Sequence, residues 1–499
     1  MPLFTSEELE LARAIGGLNY TNPFIPQRLE LERRILGRRA KRETAVWHKI
    51  GNRGSVTPNV EMIFALCREF VGKLQQRFAA PNYKPASELE MAAYDELVVY
   101  WLFEKYRLTM GEIMVEHPQE TFFPCYKDFA SDFNACIRNV PRRTPSLFSP
   151  EKTFAIYFQI HRAFHFIFNT IAGSSLEAAT FRANVWQSIF TCDIYRYLRL
   201  LYDKMSNVTT LVTGESGTGK ELVARAIALS QYIPIDGQSS SFACAYPDCF
   251  HAIQLSAMPQ SILESELFGH VKGAYTGAIA DHKGYLETCT HWGTIFLDEI
   301  GDINNDVQIK LLRVLQTRSF QRLGDVKPLT FQGKIIAATN RNLHPANQQE
   351  HFRQDLYYRL CSDSIATVPL RRLIQGDPEE LMLFISILAN RILGDEDEAK
   401  SFAEESHAWI VKNLSLDYPW PGNVRELEQC LRNLLVRGVY VPPHVQTSPA
   451  PAIPLPDLSL TAHQVMHNYM KALFQRENGN LAKTARAAGV DRRTVRKYL

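Results

Sequence analysis

Residues 210–227 constrain this chain more than any other stretch. Thr210-Leu211-Val212-Thr213 is a short apolar run of strand character, and Leu222-Val223-Ala224-Arg225-Ala226-Ile227 is a helical one. Between them lies Gly214-Glu215-Ser216-Gly217-Thr218-Gly219-Lys220-Glu221. A strand that feeds a glycine-rich loop into a helix converges backbone N–H groups, a lysine ammonium and the positive helix end on one point, which suits bound phosphate. Gly214, Gly217 and Gly219 allow the tight turn and the close approach. Glu221 stands where a Ser or Thr hydroxyl would ordinarily ligate magnesium, so a metal there must lean on other oxygens and water.

A second element completes the reading. Gly293-Thr294-Ile295-Phe296-Leu297-Asp298-Glu299 is an apolar strand ending in two carboxylates. A strand buried on both faces delivers such residues to the carboxyl edge of a parallel sheet, where ligands bind. Asp298 is expected to help hold hydrated Mg²⁺ and Glu299 to polarise an attacking water, the two tasks phosphoryl transfer sets a protein. A third strand, Lys334-Ile335-Ile336-Ala337-Ala338-Thr339, ends at Asn340, which can sense a terminal phosphate or simply turn the chain. Arg353 and Arg359 lie six residues apart and carry the charge and planar geometry that stabilise transferring phosphoryl oxygens, although on spacing alone salt bridges are the better reading.

The 499 residues allow about three domains. No run of about 18 apolar residues occurs, so a membrane span is not expected. The start, Met-Pro-Leu-Phe-Thr-Ser-Glu-Glu, has no secretory pattern. Nine scattered cysteines suit reduced thiols in a cytoplasmic protein. Cys244, Cys249 and His251, with Cys289 and His291 further on, lack a strong zinc spacing and read more simply as loop and core residues. Residues 1–175 are predicted to be mostly helical, with dense aromatics between Tyr94 and Phe168 and no catalytic constellation. The basic stretch Arg28–Arg42 reads as a solvated helix face, with nucleic-acid contact as the alternative.

Residues 441–457 carry six prolines and read as an extended linker. The last 22 residues hold six basic side chains against one acidic. Leu481, Ala485 and Ala488 mark the inner face of a short helix, Gly489 permits a turn, and Asp491 can cap a second helix bearing Arg492, Arg493, Thr494, Arg496 and Lys497. That arrangement is a helix-turn-helix whose second helix suits the major groove of double-stranded DNA.

Taken together, Gly214–Ile227, Leu263–Ala278, Gly293–Asp302, Leu311–Gln316, Ala337–Arg341, Phe352–Leu360 and Trp420–Leu427 resemble, in sequence and in order, the bacterial sigma-54-dependent transcription activators of the AAA+ ATPase class. The resemblance covers about 206–440 and 460–499. It implies a multidomain chain: a helical, regulatory or sensory N-terminal domain (1–175), an α/β AAA+ P-loop NTPase core (176–370), a helical lid (371–440), the proline-rich linker (441–459) and an all-α Fis-type helix-turn-helix domain (460–499). It implies ATP and Mg²⁺ as ligands, with Gly214, Glu215, Ser216, Gly217, Thr218, Gly219, Lys220, Glu221, Asn340 and Arg425 around the nucleotide. Arg353 and Arg359 become fingers reaching the next subunit of a ring, normally a hexamer. Gly273-Ala274-Tyr275-Thr276-Gly277-Ala278 becomes the loop that grips sigma-54 within the RNA polymerase holoenzyme, with Tyr275 in place of the usual Phe. The rival readings are a DNA-binding regulator whose nucleotide site only gates oligomerisation, and a remodeller of another client.

The chain departs from this family at two places. Gln254 falls where the family has an asparagine that relays nucleotide state to the loop. The segment Tyr232–Phe250 is longer than the family's connection, and neither composition nor spacing explains why.

Overall fold

The computed structural model describes residues 2–41, 58–84, 86–343, 352–374, 378–442, 461–477 and 479–499. The proline-rich linker falls almost wholly outside the described residues, as do Arg42 and Asn478. Residues 1–432 form one compact unit and 433–499 a second.

The first unit begins with α1 (Ser6–Gly17), α2 (Pro26–Leu36), α3 (Pro58–Phe78), α4 (Glu88–Glu116), α5 (Cys125–Phe133), α6 (Pro150–Thr170) and α7 (Leu176–Phe190). The 29-residue α4 is the spine, and α1, α3, α5 and α6 all pack on it. It starts at a capping box in which the Ser87 hydroxyl accepts the Glu90 N–H and the Glu90 carboxylate accepts the Ser87 N–H. The aromatics seen in the sequence pack edge to face in the interior, Phe129 against Tyr106 and Tyr157, and Phe154 against Tyr126. In the basic stretch, Arg33, Arg34, Arg38 and Arg39 are solvated as expected, but Arg28 is buried and paired with Glu32 at 2.9 Å.

A short α8 (Ile194–Arg196) leads to β1 (Thr210–Thr213), α9 (Lys220–Ala228), the hairpin β2 (Ile235–Asp236) and β3 (Ser241–Phe242), and β4 (Phe250–Gln254). There follow α10 (Gln260–Phe268), α11 (Tyr285–Thr288), β5 (Thr294–Asp298), α12 (Asn305–Thr317), the hairpin β6 (Ser319–Phe320) and β7 (Leu329–Thr330), and β8 (Lys334–Thr339). The sheet order is β4-β5-β8-β1-β9, with β9 at Asp363–Ala366 and every pairing parallel. β8 is buried at all six positions, which accounts for its continuous apolar run. Next come α13 (Gln354–Leu360), α14 (Leu370–Leu373), α15 (Pro378–Leu393), α16 (Glu396–Asn413) and α17 (Asn423–Arg437).

The long connection 232–250 has a structural role. Its hairpin adds to the N-terminal helices, with Phe123 N–H donating to Ser240 O at 2.9 Å and Phe242 N–H to Thr121 O at 2.8 Å. Phe242 packs on Phe123 and Phe158, and the Tyr246 hydroxyl donates to Met114 O at 3.0 Å. One hydrophobic cluster therefore runs without a break from Leu3 through Phe158 to Tyr232, Phe242 and Cys249. The insertion is the strut that fuses the helical N-terminal part to the α/β core.

The second unit holds α18 (Ala462–Arg476), α19 (Leu481–Ala488) and α20 (Arg492–Tyr498) around buried Met470, Ala485 and Val495, with Leu481 and Ala488 packed against them. Among the described residues no helix is long and apolar enough to cross a membrane.

Candidate nucleotide site

The phosphate loop is built as its glycines demand. Gly214, Gly217 and Gly219 have φ of 146°, 78° and 85°. A Cβ on Gly214 would meet Thr367 Oγ1 at 1.9 Å and one on Gly217 would meet Gly422 O at 2.2 Å, so both positions exclude any side chain. Helix α9 starts at Lys220, two residues before the apolar run, because left-handed Gly219 serves as its N-cap. Lys220 is buried, and its Nζ donates to Gly214 O at 3.1 Å and Glu215 O at 3.3 Å, which holds the ammonium within the loop.

The loop is clamped by residues from the far side of the sequence. The Arg371 guanidinium forms a two-pronged ion pair with Glu215, and this holds the Glu215 carboxyl down at about 2. Buried Asn423 donates from Nδ2 to Glu215 Oε2 at 3.1 Å and Ser216 O at 3.0 Å, and its Oδ1 accepts the Leu370 N–H at 2.9 Å. Thr218 and Thr367 hydroxyls meet at 2.6 Å. Arg425 Nη1 donates to Ser216 Oγ at 3.2 Å, close to the expected nucleotide position. Arg371 and Thr367 carry no local sequence signal for this role, and Asn423 stands only within the Trp420–Leu427 motif.

Asp298 and Glu299 sit at the carboxyl edge of β5, two strands from the loop that follows β1. Burial raises the Asp298 carboxyl, while Glu299 N–H and the charges of Lys220 and Arg425 pull the other way. The chain turns left-handed at Glu299, φ 55°, and its Oε2 accepts the Asn340 N–H at 3.3 Å. Gln254 pairs in register with Asp298 on the neighbouring strand, and its side chain is exposed. Among the described residues no group of three or more His, Cys, Asp or Glu could hold a metal. One half-buried carboxylate beside a phosphate cradle suits Mg²⁺, which takes one or two carboxylates and completes its shell with water and phosphate. Cys244 and Cys249 are free thiols with sulfurs 3.4 Å apart, a local contact within the strut.

Three further expected groups are built by other elements. Arg353 precedes α13, its guanidinium held by Asp355 at 2.8 and 3.1 Å, and Arg359 is exposed on α13. Gly273–Ala278 forms a projecting turn in which Gly273 N–H donates to Ala278 O at 2.9 Å. Gly273 and Gly277 have φ of 84° and 108° with open space around them. Tyr275 is 46% exposed, its ring edge-on to His270 at 5.1 Å. In the second unit, Gly489 (φ 66°) turns the chain between α19 and α20, and Arg492, Arg493, Arg496 and Lys497 are exposed on α20. The Thr494 hydroxyl donates to the helix cap Asp491 at 3.1 Å.

Residues 193–366 match the model of the sigma-54 interaction domain. The Nif-specific regulatory protein of Klebsiella pneumoniae is 43% identical over 230 residues, covering 46% of this chain and 40% of that protein. Nitrogen fixation protein AnfA of Azotobacter vinelandii is 38% identical over 250 residues, 49% of this chain and 43% of that one. Transcriptional regulatory protein GlrR of Escherichia coli (strain K12) is 36% identical over 299 residues, 59% of this chain and 62% of that one. The chain thus spans less than two thirds of the length of each of these relatives. Among solved structures, NtrX from Brucella abortus in complex with ATP aligns over 88% of this chain and 91% of that one at 20% identity, with a TM-score of 0.40.

Proposed function

This chain belongs with the sigma-54-dependent transcription activators, AAA+ proteins, and we propose that it hydrolyses ATP to remodel a closed promoter complex of sigma-54 RNA polymerase while bound to DNA upstream. The observation that carries this reading is the pairing, in one parallel sheet, of the 214–220 loop after β1 with Asp298 and Glu299 after β5. The loop amides and Lys220 bind and orient the phosphates. Asp298 would help hold a hydrated Mg²⁺, which would supply charge neutralisation when bound. Glu299, fixed by its left-handed backbone and the Asn340 N–H, orients water and accepts its proton.

Arg425 reads the nucleotide from the lid, and Arg353 and Arg359 act on the site of an adjacent subunit in a hexameric ring. The projecting Tyr275 turn presents an aromatic hot spot to sigma-54, and Gln254, adjacent to Asp298, links the site to it. The exposed basic residues of α20 enter the major groove of the upstream element.

The test is ATP-dependent isomerisation of a sigma-54 closed promoter complex by the full chain. Glu299→Ala should abolish both hydrolysis and opening. Tyr275→Ala should hydrolyse ATP and fail to open the complex. A wild-type chain that hydrolyses ATP but never opens the complex would show that the client is another protein.

A further inference from the structure

All nine cysteines are free, and among the described residues one pair brings its sulfurs into contact: Cys244 and Cys249, 3.4 Å apart. They stand at the two ends of the turn 244–249, between β3 of the strut and β4 at the edge of the parallel sheet. A disulfide sets its sulfurs at about 2.0 Å, so the bridge needs them to travel only about 1.4 Å.

The two thiols are unequal in access and in charge. Cys249 is buried and Cys244 is half-buried. The Cys249 S–H donates to the Cys244 sulfur, which holds the Cys244 thiol down and pushes the Cys249 thiol up. The charge of Arg162 also pulls Cys244 down, while burial and Asp248 of the same turn oppose.

Arg162 of α6 is a cation without exposure. Its guanidinium donates to Leu229 O at 2.8 Å and Gln231 O at 2.7 Å, its Nε has no partner, and it lies 5.8 Å from the ring of Tyr246 within the turn. The acidic groups that act on it most are the thiols of Cys249 and Cys244. A buried cation beside two thiols favours a thiolate. A reachable thiolate with a second thiol in contact is the arrangement that carries a cysteine from sulfenic acid to a disulfide rather than to irreversible oxidation.

We propose that Cys244 and Cys249 form a dithiol that reacts with hydroperoxides, Cys244 attacking and Cys249 resolving. The Cys244 thiolate attacks one peroxide oxygen and the O–O bond breaks. With hydrogen peroxide this leaves Cys244 as the sulfenic acid and releases hydroxide, which takes up the proton the Cys244 thiol had lost. The Cys249 sulfur then attacks the sulfenic sulfur, the S–O bond breaks, and the leaving hydroxyl departs as water with the Cys249 proton. Two thiols and one peroxide become one disulfide and two waters. The bridge closes at the joint between the strut and the sheet. Nothing in this step uses the nucleotide site.

The test is a peptide map of the full chain, treated with hydrogen peroxide, quenched with iodoacetamide and digested without reductant. The peptide holding Cys244 and Cys249 should carry neither alkyl group and be two hydrogens lighter than its reduced form, and dithiothreitol should restore both alkylations. Exposed Cys192 is the internal reference. In the folded chain Cys244 should be consumed about tenfold faster than Cys192, and in urea the two rates should become about equal. Cys249→Ser should leave Cys244 as a sulfenic acid that dimedone traps, and Cys244→Ser should leave Cys249 reduced. No bridge in the folded wild type overturns the proposal whatever the variants do. So does a Cys244 rate no faster than that of Cys192, or Cys244 oxidised to sulfinic acid beside a reduced Cys249.

Discussion

The Asn340 N–H donates to Glu299 Oε2 at 3.3 Å, joining the ends of two adjacent parallel strands at the residue proposed to handle water. Because Glu299 is left-handed at φ 55°, the bond fixes a carboxylate that the strand itself would not aim. Glu299→Gln keeps the shape and removes the basicity. Phosphate release should fall by about 10²- to 10⁴-fold, the range for losing a general base, with nucleotide affinity nearly unchanged. Parallel titration with a fluorescent ATP analogue separates the two; a matching loss of affinity would move Glu299 from catalysis to binding.

Asn423 is the mechanical link between loop and lid. It is fully buried, sits at φ 53°, and serves Glu215, Ser216 and Leu370 at once. Asparagine tolerates that backbone and supplies both a donor and an acceptor. Asn423→Ala leaves the Leu370 N–H and Ser216 O without that partner, so stability should drop by about 1–3 kcal/mol. Thermal unfolding measures the drop, and nucleotide affinity should fall with it because the loop loses its tether. An alanine variant of wild-type stability would mean that water replaces the amide at no cost.

Asn423 also shows what was legible in the sequence and what was not. Strand, loop and helix at 210–227, the Asp298-Glu299 strand and the α19–α20 pair were readable because each signal is local: a periodicity, a glycine, a cap. Arg371, Thr367 and Asn423 reach the loop across 149 to 208 residues, and nothing in their neighbours' composition announces that contact. The strut 232–250 was visible only as extra length, since two-residue strands lack a readable period. The N-terminal helices were recognisable as helices, but their edge-to-face aromatic interior depends on how α4, α5 and α6 converge.

Lys334 is buried at the start of β8, its Nζ donating to Met205 O at 3.3 Å and to Val208 O at 2.5 Å. Burial lowers its pKa from the ordinary 10.5 to about 8. Below pH 8 both folded and unfolded chains carry the proton and the cost of burying it is constant. Between 8 and 10.5 the folded chain sheds it first, the unfolded chain binds more protons, and stability rises with pH. That gain is about 3 kcal/mol when complete. Buried tyrosines and cysteines oppose it in the same range, so the contribution is read as a difference. The stability of wild type minus that of Lys334→Met should climb from pH 8 to 10.5 and level off above; a flat difference would mean a normal lysine.

Helix α20 carries a division of labour that a salt titration can resolve. Asp491 caps it by accepting the Thr494 N–H at 2.8 Å and the Thr494 hydroxyl at 3.1 Å, so Thr494 is engaged in holding the helix start. Arg492, Arg493, Arg496 and Lys497 are exposed, with no ion-pair partner among the described residues. On duplex DNA, replacing one phosphate-contacting arginine by alanine should lower the slope of log affinity against log salt by about 0.9. An arginine that reads a base edge should instead cost about 1–3 kcal/mol on its preferred site and relax specificity there. Thr494→Val should leave the salt slope unchanged and weaken binding only as far as it loosens the cap, by about 1 kcal/mol or less. If Thr494→Val lowers the slope as an arginine variant does, the hydroxyl is a phosphate contact and its bond to Asp491 is exchanged on binding.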